Sequence, residues 1–271
     1  AVYGCGKNNV GQLGLGNDHH HRTFTVIPST RGKFVQHLSV GGDTALATTK
    51  NHEVYSWGGY GVGMGLPNML NNSNHNNRMT ATSWSTTPQL VTKLNGEEIT
   101  STAIGANHAC AVSKGNDLFV WGLINNNIQA TQPQYFDTVT ATSIACGEMH
   151  TCIKTKANEV YTFGYGGNGR LGREYDVDNQ FTPLPVHLPS ASQTVEFIAC
   201  GAEHTLLSTQ QSAVYSFGCG DGGRLGLGDV KDRLAPCEIS TYAKRIKHFE
   251  FKCWYVAFGV CCSRGASSRR I

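Results

Sequence analysis

Charged residues are scarce in this sequence, and the segments that mark membrane proteins and disulfide frameworks are missing. Only 15% of the 271 residues are charged, whereas 32 are glycine. No run of about 18 apolar residues occurs, so no membrane-spanning helix is predicted. The ten cysteines form no C-x-x-C pair and indicate thiols in a reducing intracellular compartment. Cytoplasm, nucleus, cilium and mitochondrion all satisfy that condition.

Motifs of common catalytic chemistry are also absent from the sequence. It contains no G-x-S-x-G, no H-E-x-x-H and no paired-carboxylate pattern. The glycine-rich stretch "GYGGNGRLG" lacks the Lys-Ser/Thr pair and the following helix that a phosphate-binding loop needs. We therefore expect neither hydrolytic nor redox catalysis, and no cofactor.

An aromatic–glycine phrase recurs along the chain at roughly 50-residue spacing. It begins near Val2, Val54, Leu118, Val160 and Val214, and its clearest copies are "EVYTFG" and "AVYSFG". A second phrase precedes each internal copy, as in "ACGEMHTCIKT" at 145–155 and "ACGAEHTLLST" at 199–209. Both phrases have the β-branched, aromatic and apolar content of strands. Polar turns at 156–158 and 210–212 predict hairpins between them.

Abundant glycine, few charges and repeated hairpins favour an all-β fold over a helical solenoid, because no unit carries a helical period of adequate length. These features leave three folds possible: a β-propeller, a β-solenoid and a sandwich of repeated hairpins. Units of about 50 residues are typical of four-stranded propeller blades, whereas the coils of a β-helix are much shorter.

The order of these phrases resembles the repeat of the regulator of chromosome condensation family. The pattern is G-x-x-H-T, then V-Y-x-W/F-G, then G-x-x-G-x-L-G-x-G, and its best copies are Gly201–Gly228, Gly147–Gly172 and Val2–Gly16. Thr44 departs from it at the histidine position, and Leu123–Ile128 replaces one glycine loop. The resemblance implies a β-propeller, typically of seven blades, of which five units are visible here.

We expect residues 1–259 to form one propeller-like repeat domain and residues 260–271 a basic, flexible tail. The N-terminus supplies the second half of a unit, and the C-terminus supplies the first half. The two ends can therefore complete one blade between them, or the ring can be an incomplete part of a larger one. Because the chain starts inside a repeat, we also expect residues upstream.

Several recurring residues are interpreted as structural positions of the repeat. The histidines could form a metal site, but they fall on different units without a nearby carboxylate or cysteine pattern, so buried histidines bonded to backbone groups are expected instead. Gln12, Arg170 and Arg224 share one loop position and are interpreted as loop braces. The structural positions are His108, His150, His204, Gly147, Gly201, Trp57, Trp121, Phe163 and Phe217.

Two segments are candidates for binding a partner. The longest insertion, Leu66–Pro88, is asparagine-rich, and functional contacts of repeat scaffolds often lie on such loops. The segment Lys244–Ile271 carries seven basic residues and the single acid Glu250, whereas "NDHHHR" at 17–22 is interpreted as an exposed polar loop. The candidate contact residues are Asn71, Asn72, Asn74, His75, Asn76, Arg78, Lys244, Arg245 and Lys247.

Three functions follow from these patterns. The first is a non-catalytic protein–protein interaction scaffold or a subunit of a larger complex, since repeats are present and catalytic motifs are not. The second is guanine-nucleotide exchange on a small GTPase, which the resemblance implies. The third is association with chromatin or nucleic acid through the basic C-terminal segment.

Overall fold

The computed structural model describes the chain as short antiparallel strands in two compact units, Ala1–Met149 and His150–Ile271. The described residues are 1–59, 65, 84–123, 129–137, 139–175, 178–190, 193–239, 250–253 and 258–261. Helical segments within them are three-residue 3-10 turns, at Pro28–Thr30, Thr92–Leu94, Gly167–Gly169 and Asp221–Gly223. A turn of this length cannot cross a bilayer, and the described residues hold no longer helix that could.

The first unit contains two complete four-stranded meanders. A two-stranded sheet comes first, with β1 at Tyr3–Gly6 and β2 at His21–Val26. The next sheet has the order β3 (Val35–Gly41), β4 (Thr44–Thr49), β5 (Val54–Gly58) and β6 (Ser85–Leu90). The following sheet has β7 (Ile99–Ile104), β8 (His108–Ser113), β9 (Leu118–Leu123) and β10 (Gln129–Tyr135). The last strand of this unit, β11 (Ala141–Cys146), lies against β7 and β8.

The second unit repeats the arrangement. It holds three strands of a further four-stranded sheet, β12 (His150–Thr155), β13 (Val160–Tyr165) and β14 (Asn179–Pro185). A complete meander follows, with β15 (Val195–Cys200), β16 (His204–Thr209), β17 (Val214–Gly218) and β18 (Arg233–Glu238). The hairpin of β19 (Glu250–Cys253) and β20 (Phe258–Cys261) is described by its backbone. The predicted all-β fold of four-stranded sheets is confirmed.

The hairpin turn between the second and third strands has one geometry throughout. Asn158 N–H donates to the Thr155 carbonyl at 3.0 Å, and Ser212 N–H donates to the Thr209 carbonyl at 2.9 Å. Asn158 and Ser212 adopt left-handed φ values of 62° and 65°, as turn residues often do. His52 and Asn116 occupy the same place in the earlier sheets. Both turns predicted from the sequence are confirmed.

The glycine that closes the aromatic phrase forms a β-bulge. Gly218 has φ 111°, and the pairing of β17 with β18 shifts register between Ser216 and Gly218. A Cβ there would lie 2.5 Å from the Glu203 carbonyl oxygen, so the position is closed to any larger residue. The bulge turns the chain away from the strand and into the glycine loop.

The sequence predicts four-stranded units, but the recurring phrases do not locate the outer strand of each sheet. Residues 85–88 of the predicted insertion Leu66–Pro88 belong to β6, so that boundary is wrong. Pro88 fits there because β6 is an edge strand, where a missing backbone N–H need not break the ladder. Prolines also lie in β10, β14 and β18, which makes them a usable signal for this strand.

The apolar core lies between consecutive sheets rather than within one sheet. Leu46 and Val54 of one sheet cluster with Ile104, Phe119 and Trp121 of the next, and all five are at least nine-tenths buried. Burial of apolar surface at about 25 cal/mol per Å² makes such a seam the main source of cohesion between sheets. Each sheet therefore depends on its neighbour to cover its apolar faces.

Candidate functional site

The glycine loops are held by the aromatic residue of the sheet that follows. A Cβ on Gly172 would lie 2.9 Å from the ring of Phe217, and one on Gly14 would lie 2.8 Å from Trp57 Nε1. Trp57 Nε1–H also donates to the Gln12 carbonyl at 3.1 Å. Gly65 approaches the Trp121 ring in the same way. The aromatic positions Trp57, Trp121, Phe163 and Phe217 are all buried, and three of them contact the loop that precedes their own sheet.

The three repeat histidines are buried, and two of them lie against the glycine of their own phrase. His108 is 3% exposed, and His150 and His204 are fully buried. A Cβ on Gly201 would lie 2.0 Å from His204 Cε1, so this glycine leaves room for the ring. Gly105 bears the same relation to His108, and the Gly147 carbonyl oxygen packs against Gly105.

Hydrogen bonding differs between these histidines, and the expected bond to a backbone group is missing at His204 as far as the structure describes the chain. His150 Nε2 lies 2.9 Å from the Thr205 hydroxyl, which itself donates to the Arg170 carbonyl at 3.0 Å. Neither ring nitrogen of His204 has a hydrogen-bond partner among the described residues. Burial, assisted by the nearby Arg224 charge, lowers the pKa of His204 to about 4. His204 is therefore a neutral packing group.

Metal binding finds no support in the part of the chain that the structure describes. There, no three histidine, cysteine or carboxylate side chains come together as ligands. The three histidines of the "NDHHHR" segment lie in different environments. His19 is exposed beside Asp18, His20 Nδ1 accepts from the Asn8 N–H, and His21 begins β2. A shallow cleft of about 480 Å³ is lined by Cys5, Gly6, Lys7, His20, His21 and Arg22.

The loop position shared by Gln12, Arg170 and Arg224 is occupied by braces, as the sequence predicted. Arg170 is 2% exposed, and its Nη2 lies 3.3 Å from Glu203 Oε1. Arg224 Nη1 reaches the other oxygen of the same carboxylate at 3.0 Å. Gln12 Nε2 makes the corresponding contact to Asp43 at 3.0 Å. Each contact ties a glycine loop to the turn before a buried second strand.

Two braced loops of the second unit lie side by side and expose apolar side chains. Glu174 N–H donates to the Leu234 carbonyl at 3.0 Å, and Asn168 Nδ2 donates to Asp232 at 2.9 Å. Tyr175 is 62% exposed, Val230 63% and Leu234 36%. We call this surface the loop face and define it by its residues Tyr175, Asp229, Val230, Lys231 and Leu234.

The Asp229 carboxylate of the loop face is held by residues close to it in the chain. Arg233 donates to Asp229 at 2.7 Å, and this hydrogen bond lowers the pKa of the Asp229 carboxyl. Lys231 N–H also donates to the Asp229 carboxylate at 3.0 Å. Exposed tyrosine and aliphatic side chains bordered by charges are the composition of a protein-binding surface. Sequence reasoning missed it, although Tyr175 and Val230 stand out as large side chains in otherwise polar loops.

The partner-binding residues predicted from the sequence lie outside the described residues. They are Asn71, Asn72, Asn74, His75, Asn76, Arg78, Lys244, Arg245 and Lys247. Their contact roles stay predictions. The predicted basic tail, residues 260–271, also stays a prediction. Its first two residues belong to β20 and are described by their backbone.

Sequence comparison identifies relatives of this chain among known proteins. The chain is 26% identical over 252 residues to the Arabidopsis thaliana ultraviolet-B receptor UVR8, covering 87% of this chain and 52% of that protein. It is 33% identical over 252 residues to the Canis lupus familiaris X-linked retinitis pigmentosa GTPase regulator, covering 90% of this chain and 24% of that protein. The chain thus spans about half or less of these relatives.

The fold is also found among solved structures. Human WBSCR16 superposes with a TM-score of 0.76 at 21% identity, covering 94% of this chain and 65% of that one. The regulator of chromosome condensation (RCC1) repeat matches residues 1–48, 51–112, 158–208 and 211–259, and a second version of it matches residues 99–129 and 141–170. The chain therefore belongs to the family of β-propeller proteins built from regulator of chromosome condensation (RCC1) repeats.

Proposed function

We propose that this chain is a non-catalytic interaction module that binds a protein partner through the loop face. The observation that carries the proposal is the pairing of a buried brace with exposed apolar side chains. Arg170 and Arg224 of the two loops share Glu203, while Tyr175 and Val230 are mostly exposed. The brace fixes the loops, and the exposed side chains offer a surface to a partner.

Rigid loops favour binding because less conformational entropy is lost when a partner orders them. Gly169 supports this rigidity, since a Cβ there would lie 2.5 Å from the Arg233 carbonyl oxygen of the neighbouring strand. Tyrosine is enriched among the residues that dominate binding energy. Glu174, which precedes Tyr175, ties this loop to the Leu234 carbonyl. The charges of Asp229 and Lys231, at the edge of the loop face, then help to orient the partner as it binds.

Affinity purification tests this proposal with two matched variants. The wild-type chain, Tyr175→Ala/Val230→Ala and Phe24→Ala are each used as bait under native conditions, and recovered proteins are quantified by mass spectrometry. Phe24 is 77% exposed on β2 and serves as the control for loss of an exposed apolar side chain. We expect the loop-face variant to lose a stoichiometric partner by about tenfold or more, since one such contact contributes over 1 kcal/mol. Equal recovery with all three baits would refute the proposal.

Guanine-nucleotide exchange on a small GTPase is the second candidate. One relative at 33% identity is named a GTPase regulator, and this supports testing the activity here. Release of a fluorescent guanine nucleotide is measured from a panel of small GTPases with the wild-type chain and with Tyr175→Ala/Val230→Ala. Acceleration that the double variant abolishes would make exchange the function of the loop face. No acceleration with any GTPase would eliminate this candidate.

A further inference from the structure

Two cysteine pairs lie opposite each other across seams between β-strands of neighbouring repeats. Cys110 is the third residue of β8, and Cys146 is the last residue of β11. Their sulfur atoms are 3.7 Å apart. Cys152 and Cys200 hold the same positions on β12 and β15, and these two strands contact each other. One pair lies within each compact unit, so each can be considered separately.

The equivalent pair at another seam is aliphatic. Leu46 is the third residue of β4 and Ile104 is the last residue of β7, and both belong to one buried cluster. The repeat can therefore fill this seam with aliphatic carbon alone. The cysteine pairs at the other two seams are therefore not required for packing, and they add the capacity for thiol oxidation.

We propose that Cys110 and Cys146 form an oxidisable dithiol whose disulfide cross-links β8 to β11. A disulfide has its sulfur atoms about 2.05 Å apart, so each sulfur must move by less than about 1 Å from the present separation. The chain between the two cysteines spans the rest of one meander and the start of the next, so the bond would fasten two consecutive repeats. The structure contains both residues as thiols.

Hydrogen peroxide is the oxidant class that balances the reaction. Cys146 is partly exposed whereas Cys110 is fully buried, so peroxide meets Cys146 first. The Cys146 thiolate attacks one peroxide oxygen and breaks the O–O bond, and the released hydroxide takes a proton to give water. The resulting sulfenic acid is attacked by the Cys110 sulfur, which displaces a second water and forms the disulfide. Two thiols and one peroxide thus give one disulfide and two waters.

The second pair also has one partly exposed cysteine, Cys200, and one buried cysteine, Cys152. Burial raises the pKa of the Cys200 thiol well above its usual range, with further contributions from the neighbouring Cys152. Less thiolate is then present at neutral pH, and thiolate is the reactive form. The two pairs therefore provide an internal comparison within one sample.

The test is peptide mapping of the reduced full chain after treatment with hydrogen peroxide. Remaining thiols are alkylated, and the chain is digested without reduction at Lys, Arg and Glu. Glu148 separates Cys146 from Cys152, so each of the four paired cysteines falls on its own peptide. We expect a peptide pair joining Cys110 and Cys146, reversed by dithiothreitol, and a rise in Tm of about 5 °C from the cross-link.

The matched control is Cys110→Leu/Cys146→Ile, which copies the natural Leu46/Ile104 pair. This variant should fold, remain uncross-linked there and show no peroxide-dependent rise in Tm. Exposed Cys5 reports that the oxidant is active in every sample. If Cys5 becomes oxidised while Cys110 and Cys146 remain separately alkylated, or pair only after denaturation, the proposal is wrong.

Discussion

Gly201 and His204 give the most direct test of how the repeat is packed. An added Cβ at Gly201 would lie 2.0 Å from His204 Cε1 and 2.5 Å from Nδ1, where ordinary contact needs 3.4 Å or more. Gly201 does not adopt a positive φ, so Gly201→Ala acts through steric overlap rather than backbone strain. The fully buried ring has little room to move. We expect a loss of about 1–3 kcal/mol in the free energy of unfolding.

A double-mutant cycle separates this overlap from other effects. His204→Ala removes the ring and leaves space that the new methyl group of Gly201→Ala can enter. The double variant should therefore be less destabilised than the sum of the single variants, by about 1–3 kcal/mol. Urea unfolding followed by circular dichroism measures all four proteins. Gly115→Ala is the control, because Gly115 is exposed and its Cβ would meet the carboxylate end of the half-buried Asp117 side chain rather than a buried ring.

The result that would refute this reasoning is additivity. If the double variant equals the sum within about 0.5 kcal/mol, the ring and the glycine do not share a packing site. The same conclusion follows if Gly201→Ala costs no more than Gly115→Ala.

The remaining predictions concern buried charge and titration. Because the folded state holds His204 at a pKa of about 4 and the unfolded chain at about 6.5, the unfolded chain binds the extra proton between these values. The free energy of unfolding should fall by up to about 3 kcal/mol as pH decreases from 6.5 to 4, and His204→Thr, which copies Thr44, should flatten this dependence in urea titrations at each pH. Arg170→Ala should cost about 2–4 kcal/mol and Arg224→Ala about 1 kcal/mol in thermal unfolding, because Arg170 is almost fully buried and Arg224 is partly exposed. Equal losses for the two arginine variants would contradict the inferred difference in burial.

The sheet architecture could be predicted because its turns and bulges depend on short stretches of sequence. The turns ending at Asn158 and Ser212 are encoded by short polar segments, and the bulge at Gly218 by the glycine that closes each aromatic phrase. The outer strands were not located because Pro88 and its equivalents read as loop signals until their edge position is known. The sequence pattern thus reached the family and fold but not the full extent of each sheet.

Contacts between repeats could not be predicted in the same way. Cys146 and Cys200 read as small core residues, but nothing in the sequence aligns them with Cys110 and Cys152 across a seam. Arg170 and Glu203 likewise lie far apart in the chain, and only the stacking of sheets brings them to 3.3 Å. The loop face depends on the same stacking, because Tyr175 and Leu234 come from different repeats.

The position of the glycine loops determines where this protein can be cut and recombined. Gly172 rests on Phe217, and Gly14 rests on Trp57, so a loop shares its closest contact with the sheet downstream. A chimera joined at the end of a sheet would keep every strand but pair each transplanted loop with a foreign ring. A transferable cassette must instead begin at one glycine loop and end after the third strand of the following sheet, which carries the ring that the loop contacts.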